Sequence, residues 1–308
     1  MMKIWLDPWT LKTSHIEDIT SSFPEVTFST ILEESYDADA IICMPGYARK
    51  NHLERFGNLK WIQLMTAGYD ACDVSYILDR GILLTYAKDV FSIQIAEDVF
   101  SKILYFNRNI GIYHEQMKTG AWQHTPVRYE IAHSTFGMIG AGSIGTEVAT
   151  RAKAFMAKTI GYKRTPTKPN VYDEIYHDRL GLEHLLKVSD YVIIAIPLND
   201  QTRLMIGQKE LSLMKPSALL INVARGDIID QEALMDALNR KIIRGAGLDV
   251  TSPEPLPQDH LLWQTQNTFI TPHNSSASPY VHQRLVDEIK ESIFRYIKKQ
   301  PQDNQVKS

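Results

Sequence analysis

Arg225, Glu254 and His273 are three polar residues whose types suit proton delivery to a charged carbonyl compound. Histidine is the side chain that titrates near neutrality, so it can give or take a proton during a reaction at pH 7. A carboxylate behind an imidazole favours the protonated ring and fixes its tautomer, so Glu254 would hold His273 as a charged acid. Arg225 offers a planar fork that grips a carboxylate or polarises a carbonyl oxygen. Taken singly, each has a plainer reading: a loop histidine, an acid in a proline-rich turn, and an arginine at the start of a helix.

A second set of residues has the form of a phosphate cradle. Gly140-Ala141-Gly142-Ser143-Ile144-Gly145 fits G-x-G-x-x-G, directly after the apolar run Phe136–Ile139 and at the head of an amphipathic segment. In that pattern the first glycine makes the tight turn and the second lets the backbone approach a pyrophosphate. The third lets helix pack on strand, and the phosphates sit at the helix N-terminus. The next apolar run, Thr159–Tyr162, ends in Lys163-Arg164-Thr165 with no carboxylate. A carboxylate there would bind a ribose 2′-hydroxyl and repel a 2′-phosphate, whereas two cations and a hydroxyl attract the phosphate. The expectation is NADP(H) as preferred cofactor with NAD as the alternative; the plainer reading of Lys163 and Arg164 is two solvated surface cations.

The elements that must position these residues follow from the pattern of apolar runs. Ile4–Leu6, Val26–Phe28, Ala40–Met44, Trp61–Met65 and Ile82–Tyr86 read as strands separated by helical or polar segments. A helical pattern then runs from Ser92 to Met117, with Ile95, Val99, Ile103 and Phe106 on one side. Strand–helix alternation restarts at Thr135–Ile139 and continues through Thr159–Tyr162, Tyr191–Ile196, Ala218–Val223, Gly247–Val250 and Thr268–Ile270. Such alternation is the βαβ signature of a parallel sheet covered on both faces. The fold class is α/β with two doubly wound parallel-sheet domains, and the second is an insertion into the first if the last helix returns to it. Arg225, Glu254 and His273 all follow C-terminal ends of strands, where open α/β sheets build their sites. The last segment, Pro279 to Lys299, reads as an amphipathic helix. The polar tail Gln300 to Ser308 reads as frayed, and residues 169–180 as loop.

Bulk properties narrow the classes. At 308 residues two cores are expected. The net charge of −3 without a basic block gives no footprint for a nucleic-acid partner. No apolar run is long enough to span a bilayer, and the N-terminus lacks the apolar core of a signal peptide. The two cysteines, Cys43 and Cys72, form neither a metal spacing nor a disulfide framework. The expectation is a cytoplasmic protein with no metal.

The set as a whole resembles the D-isomer-specific 2-hydroxyacid dehydrogenase family, which includes glyoxylate/hydroxypyruvate reductases and phosphoglycerate dehydrogenases. The resemblance rests on Asn58–Asp70, the glycine turn, Ala195-Ile196-Pro197-Leu198, Met214-Lys215-Pro216 and Asn222-Val223-Ala224-Arg225-Gly226. Gly245–Val250, Glu254-Pro255-Leu256 and Thr271-Pro272-His273 complete it. It implies an NAD(P)-dependent oxidoreductase that interconverts a small 2-oxo acid and its 2-hydroxy acid, with a Rossmann-type cofactor domain, residues 98–278, inserted into a flavodoxin-like substrate domain, residues 1–97 plus 279–308. Arg225 would bind substrate, Glu254 would pair with His273, and His273 would be the acid/base. Ala67 and Gly68 would receive the substrate carboxylate through backbone amides. Ser143, Ile144, Pro197 and Val223 would lie on the cofactor, with Asp249 at its carboxamide; the plainer reading of Asp249 is a strand-end acid capping nearby amides. Members are commonly homodimers joined through the cofactor domain, which makes Asn107–His133 a candidate arm; its plainer reading is a simple linker. Trp122, Tyr69 and Met44 are candidates for pocket wall or core. Glutamate at 254 separates the chain from formate dehydrogenases, which carry glutamine there. Within the family the alternative is an NAD-dependent D-2-hydroxyacid or phosphoglycerate-type dehydrogenase. From another class it is a dinucleotide-sensing corepressor-like binding protein.

Overall fold

A computed structural model describes residues 2–165 and 171–306. The chain forms two compact units, Met1–Phe91 with Ala277–Ser308, and Ser92–Ser276. The second unit begins at Ser92 rather than at 98, because the helix Ser92–Asn107 belongs to it whole.

The first unit is built on five parallel strands: β1 (Met2–Leu6), β2 (Val26–Ser29), β3 (Ala40–Cys43), β4 (Trp61–Leu64) and β5 (Leu83–Thr85), in the order β2-β1-β3-β4-β5. Side chains alternate across a strand, and the core sorts accordingly. Ile4, Leu6, Ala40, Ile42 and Trp61 pack on one face with Leu285, Ile289 and Ile293 of the final helix, Val281–Ile297. Trp5, Ile41, Cys43, Ile62 and Leu64 pack on the other with Leu53 and Ile77. Both faces are covered, which is why these strands read as unbroken apolar runs.

The second unit has seven parallel strands: β6 (Thr135–Ile139), β7 (Lys158–Tyr162), β8 (Glu174–Tyr176), β9 (Tyr191–Ile194), β10 (Leu219–Asn222), β11 (Gly245–Leu248) and β12 (Thr268–Ile270). Their order is β12-β11-β10-β9-β6-β7-β8, so the chain reverses direction across the sheet beside β6, at the switch between β6 and β9. That is where a doubly wound sheet opens a crevice at its C-terminal edge.

Three local expectations are corrected. The single helix read over Ser92–Met117 is two, Ser92–Asn107 and Ile110–Thr119. Asn109 adopts the left-handed conformation (φ 55°), which asparagine tolerates better than most residues, and the continuing apolar spacing hides the break. Within the stretch read as loop, 169–170 lie outside the described residues, and Glu174–Tyr176 is the edge strand β8, paired with β7. As far as Val306 the tail is docked, not frayed: Val306 N–H donates to Leu84 O (2.8 Å), and Asn304 and Val306 are buried; 307–308 lie outside the described residues. Trp122 is 93% exposed, so it is not core. Among the described residues no helix is long and apolar enough to cross a membrane.

Candidate active site

The sheet of the second unit lines up the residues singled out from sequence. Ile270, Leu248, Asn222, Ile194, Ile139 and Tyr162 are successive partners across β12, β11, β10, β9, β6 and β7. Gly140 and Lys163 follow this row directly, as do Val223 and Asp249, while Pro197, Arg225 and His273 stand three residues beyond it. All the strands are parallel, so every one of these segments leaves the same edge of the sheet. At ~4.8 Å per strand, the glycine turn lies roughly 10 Å across the sheet from the Arg225 strand and roughly 19 Å from the His273 strand.

His273 and Glu254 meet directly. The imidazole Nδ1 lies 2.7 Å from Glu254 Oε2, while Glu254 Oε1 accepts from the Thr251 amide at 3.0 Å. The carboxylate is thus fixed at both oxygens, and the ring keeps Nε2 for another partner. His273 is 45% and Glu254 36% exposed at the side chain, so the pair opens to solvent. The backbone at His273 is left-handed (φ 48°), and its N–H donates to Asp249 O at 2.8 Å.

Asp249, only 1% exposed, secures the same loop. Its Oδ1 accepts from Thr271 Oγ1 (2.6 Å) and Asn274 N (3.0 Å), and its Oδ2 from Ser275 N (2.9 Å). Burial alone pushes this carboxyl up; hydrogen bonds from Ser275, Thr271 and Asn274 outweigh it, so the net shift is downward and the group is an ionised acceptor. These are the bonds of a strand-end acid capping amides.

Arg225 is placed by its neighbours. The fully buried Asn222 accepts from Ala224 N (3.0 Å) and donates to Arg225 O (2.9 Å), closing the turn after β10. Gly226 then passes so near the next loop that a Cβ there would sit 2.0 Å from Thr251 O and 2.6 Å from Ser252 N. That contact joins the Arg225 turn to the loop that carries Glu254. Gln231 brackets the same loop, accepting from Ser252 N (3.1 Å) and donating to Ser252 O (2.9 Å), and the Ser252 hydroxyl donates to Asp227. Sequence reasoning assigned no role to Asn222, Asp227 or Gln231. A polar residue ending an apolar strand was a signal for Asn222; nothing local marks the other two.

The glycine turn meets each steric demand of its motif. Gly140 has φ 114°, and a Cβ on it would lie 2.3 Å from Ala195 O; one on Gly145 would lie 2.1 Å from Gly140 O. Around Gly142 nothing comes within 4 Å. Gly142 caps the helix Ser143–Ala154 with no side-chain bond, and Thr146 N–H makes the first bond back, to Gly142 O (2.9 Å). An open second glycine before a helix start whose first amides have no intrahelical partner fits an anionic pyrophosphate. Pro197 is exposed and Val223 buried along the same edge. Beyond β7, Lys163 is half-buried, while Arg164 and Thr165 are exposed. Lys163 is fixed through its backbone, donating to Tyr176 O (3.0 Å) and accepting from His177 Nδ1 (2.6 Å).

In the first unit, Ala67 and Gly68 follow the C-terminal end of β4. The Thr66 hydroxyl donates to Gly68 O (2.8 Å), and Ala87 N–H donates to Thr66 O (3.0 Å). Ala67 is exposed. Among the described residues no group of three or more His, Cys, Asp or Glu is arranged to hold a metal.

Residues 100–275 match the profile of the D-isomer specific 2-hydroxyacid dehydrogenase NAD binding domain. The chain is 33% identical to a glyoxylate reductase of Thermococcus gammatolerans over 283 residues, covering 88% of this chain and 84% of that protein. It is 32% identical to a D-3-phosphoglycerate dehydrogenase of Methanocaldococcus jannaschii, over 91% of this chain and 54% of the other. Among solved structures, an acyclic imino acid reductase in complex with NADPH and D-Arg superposes with a TM-score of 0.85 at 29% identity, covering 99% of this chain and 100% of that one. By these matches the chain belongs to the D-isomer specific 2-hydroxyacid dehydrogenase family, NAD(P)-dependent oxidoreductases that act on a CH-OH group.

Proposed function

We propose that the protein reduces small 2-oxo acids of the glyoxylate or hydroxypyruvate type, prefers NADP(H), and uses His273 as its acid/base. The observation that carries the reading is the 2.7 Å contact between His273 Nδ1 and Glu254 Oε2, with Glu254 Oε1 already held by Thr251. An imidazole paired in this way keeps its proton on Nδ1 and presents Nε2 as the donor.

The cofactor, held by the turn Gly140–Gly145 and the edge formed by Pro197 and Val223, supplies hydride when bound. Arg225 takes the substrate carboxylate through its planar fork, and its guanidinium polarises the carbonyl. His273 gives its Nε2 proton to the carbonyl oxygen as that oxygen gains charge. The ring is left neutral with Nδ1–H still on Glu254, and in the oxidative direction Nε2 takes the proton back. Asp249 acts here through the Thr271–Ser275 loop. Lys163, Arg164 and Thr165 support the cofactor preference, since they follow β7 without a carboxylate and their charge suits a 2′-phosphate.

A second copy of the chain is the partner we assign to the arm. Helix Ile110–Thr119 has no buried residue, and Ile110, Ile112, Met117 and Trp122 are exposed along the segment. Ile110 and Met117, seven residues apart, share one face of the helix, and exposed large apolar side chains grouped in this way favour association.

The test is steady-state kinetics with NADPH and NADH against glyoxylate, hydroxypyruvate, branched 2-oxo acids and 3-phosphohydroxypyruvate. One arm adds an amine to the 2-oxo acid, because the superposed NADPH complex is an imino acid reductase. Turnover of the smallest acids with NADPH is expected. A clear NADH preference overturns the cofactor assignment. Failure across the panel with nucleotide still bound overturns the enzyme reading in favour of a binding protein.

A further inference from the structure

The helix Ser92–Asn107 carries a polar stripe on its buried face. Gln94, Asp98 and Lys102 are spaced by four residues, so they lie along one side of the helix. Gln94 is 5% exposed and donates from Nε2 to Ser276 O at 3.0 Å. Lys102 is fully buried, and its ammonium pairs with Asp98. The lysine stem lies flat on β11: a Cβ at Gly247 would stand 3.0 Å from Lys102 Cβ and 3.1 Å from Lys102 Cδ. Two residues on from Gly247 is Asp249, the carboxylate that holds the His273 loop.

From these contacts we infer that Lys102, with Asp98 and Gln94, is a positioning element for the loop that carries His273, its cation allowing two neighbouring carboxylates to coexist beneath that loop. The inference rests on the reading of His273 as acid/base. A buried ion pair is often replaceable by apolar residues of similar volume with no loss of stability, and the flanking Ile95, Val99 and Ile103 show that this face otherwise packs apolar side chains. Stability alone therefore gives no reason for a lysine at 102.

The loop does give one. Asp249 takes hydrogen bonds from Thr271 Oγ1, Asn274 N and Ser275 N, and only an ionised carboxylate accepts all three without surrendering a site to its own proton. Burial first, and the Asp249 charge in addition, push the Asp98 carboxyl up, Lys102 pulls it down, and the net shift is upward. The groups bearing on Asp98 are Lys102 on its own helix and Asp249, just past β11. The charges on the neighbouring helices pair among themselves or elsewhere: Glu147 with Arg151, Lys153 with Asp173, and Glu115 with Lys118. Lys102 is thus the cation that offsets, at Asp98, the repulsion from Asp249. Gln94 ties the far end of the loop, at Ser276, to the same helix.

The experiment compares Lys102→Met, the double variant Asp98→Asn/Lys102→Met, and Gln94→Leu with the parent. For each, the turnover rate with glyoxylate and NADPH and the thermal midpoint are measured from pH 5.5 to 8.5. Without Lys102 the upward push from burial and from Asp249 is unopposed, so Asp98 holds its proton further up the pH range than in the parent. As pH rises it ionises beside Asp249 with no cation between them. The turnover rate of Lys102→Met relative to the parent should therefore fall by about tenfold or more across the range, the scale of a sub-ångström loop displacement. In the double variant no acid is left to ionise, so any deficit should be independent of pH. Gln94→Leu, which changes no charge, should slow turnover several-fold while leaving the KM for cofactor in place. A pH-independent ratio for Lys102→Met, a double variant that keeps its slope, or undiminished turnover in Gln94→Leu would overturn the inference. A change confined to the thermal midpoint would also overturn it, leaving Lys102 a packing residue. Failure of the underlying reading looks different, because His273→Ala would then turn over at a near-normal rate whatever the Lys102 variants do.

Discussion

Gly226→Ala tests whether the Arg225 turn and the Glu254 loop form one device. A Cβ at 226 would lie 2.0 Å from Thr251 O and 2.1 Å from Thr251 C, whereas ordinary contact begins at 3.4 Å, a shortfall of 3.4 − 2.0 = 1.4 Å. The obstacle is backbone, and it is not free to yield. Thr251 N–H is bonded to Glu254, and both polar atoms of the Ser252 backbone are bonded to Gln231. Relief must come from moving Arg225 or Glu254 by about 1 Å, and a misplacement of that size costs on the order of 10²-fold in rate. In barrier terms that is about 2.7 kcal/mol. Overpacking should add a stability loss of about 1–3 kcal/mol. The assay is steady-state turnover of glyoxylate with NADPH, beside the thermal midpoint and a fluorescence titration with nucleotide. Nucleotide affinity should change little, because the glycine turn is on β6, two strands away. A turnover rate within about threefold of the parent, with an unmoved midpoint, would refute the claim that this close approach sets the geometry.

Gly142→Ala should behave in the opposite way: with nothing within 4 Å, the midpoint should hold while the KM for cofactor rises about tenfold, and an unchanged KM would remove the pyrophosphate from this turn. His273→Ala should slow turnover by about 10²–10⁴-fold with folding intact, the usual scale for a lost general acid, and near-normal turnover would defeat the assignment. Burial is the main cause that pushes the Glu288 carboxyl up, to about 7. Its protonated form therefore favours the folded chain, with the benefit complete below the unfolded value of ~4.3 and lost as pH rises through 7. Thermal midpoints of Glu288→Gln should thus gain on the parent between pH 5 and 8, and parallel curves would contradict the buried carboxyl. Met117→Lys/Trp122→Glu should turn a dimer into a monomer in sedimentation velocity, and a monomeric parent would dispose of the arm.

Much of the molecule was readable from residue order because its requirements are local. A parallel strand covered on both faces must be apolar throughout, so runs such as Ile41–Cys43 and Tyr191–Ile194 stood out. The glycine turn shows in six consecutive residues between an apolar run and an amphipathic segment, although the clash that demands Gly140 comes from Ala195, far along the chain. Arg225, Glu254 and His273 could be picked out by their types and by the strands they follow.

The features that escaped that reading depend on pairs of distant segments. The tail Gln300–Val306 is polar and reads as loose. It docks where the Asn304 side-chain nitrogen finds acceptors on Gln63, Tyr86, Glu288 and Ser292 around it, and a buried donor with partners is no longer costly. Asp249 became a clamp on the His273 loop only through donors more than twenty residues along the chain, and Gln231 a bracket only because Ser252 lies against it. Two wound sheets, a dinucleotide turn and the chemical types at the strand ends follow from residue order alone, since periodicity and sterics act over a few residues. Which groups hold those types in place emerges only on folding, because hydrogen bonds and backbone contacts between remote segments have no periodicity to read.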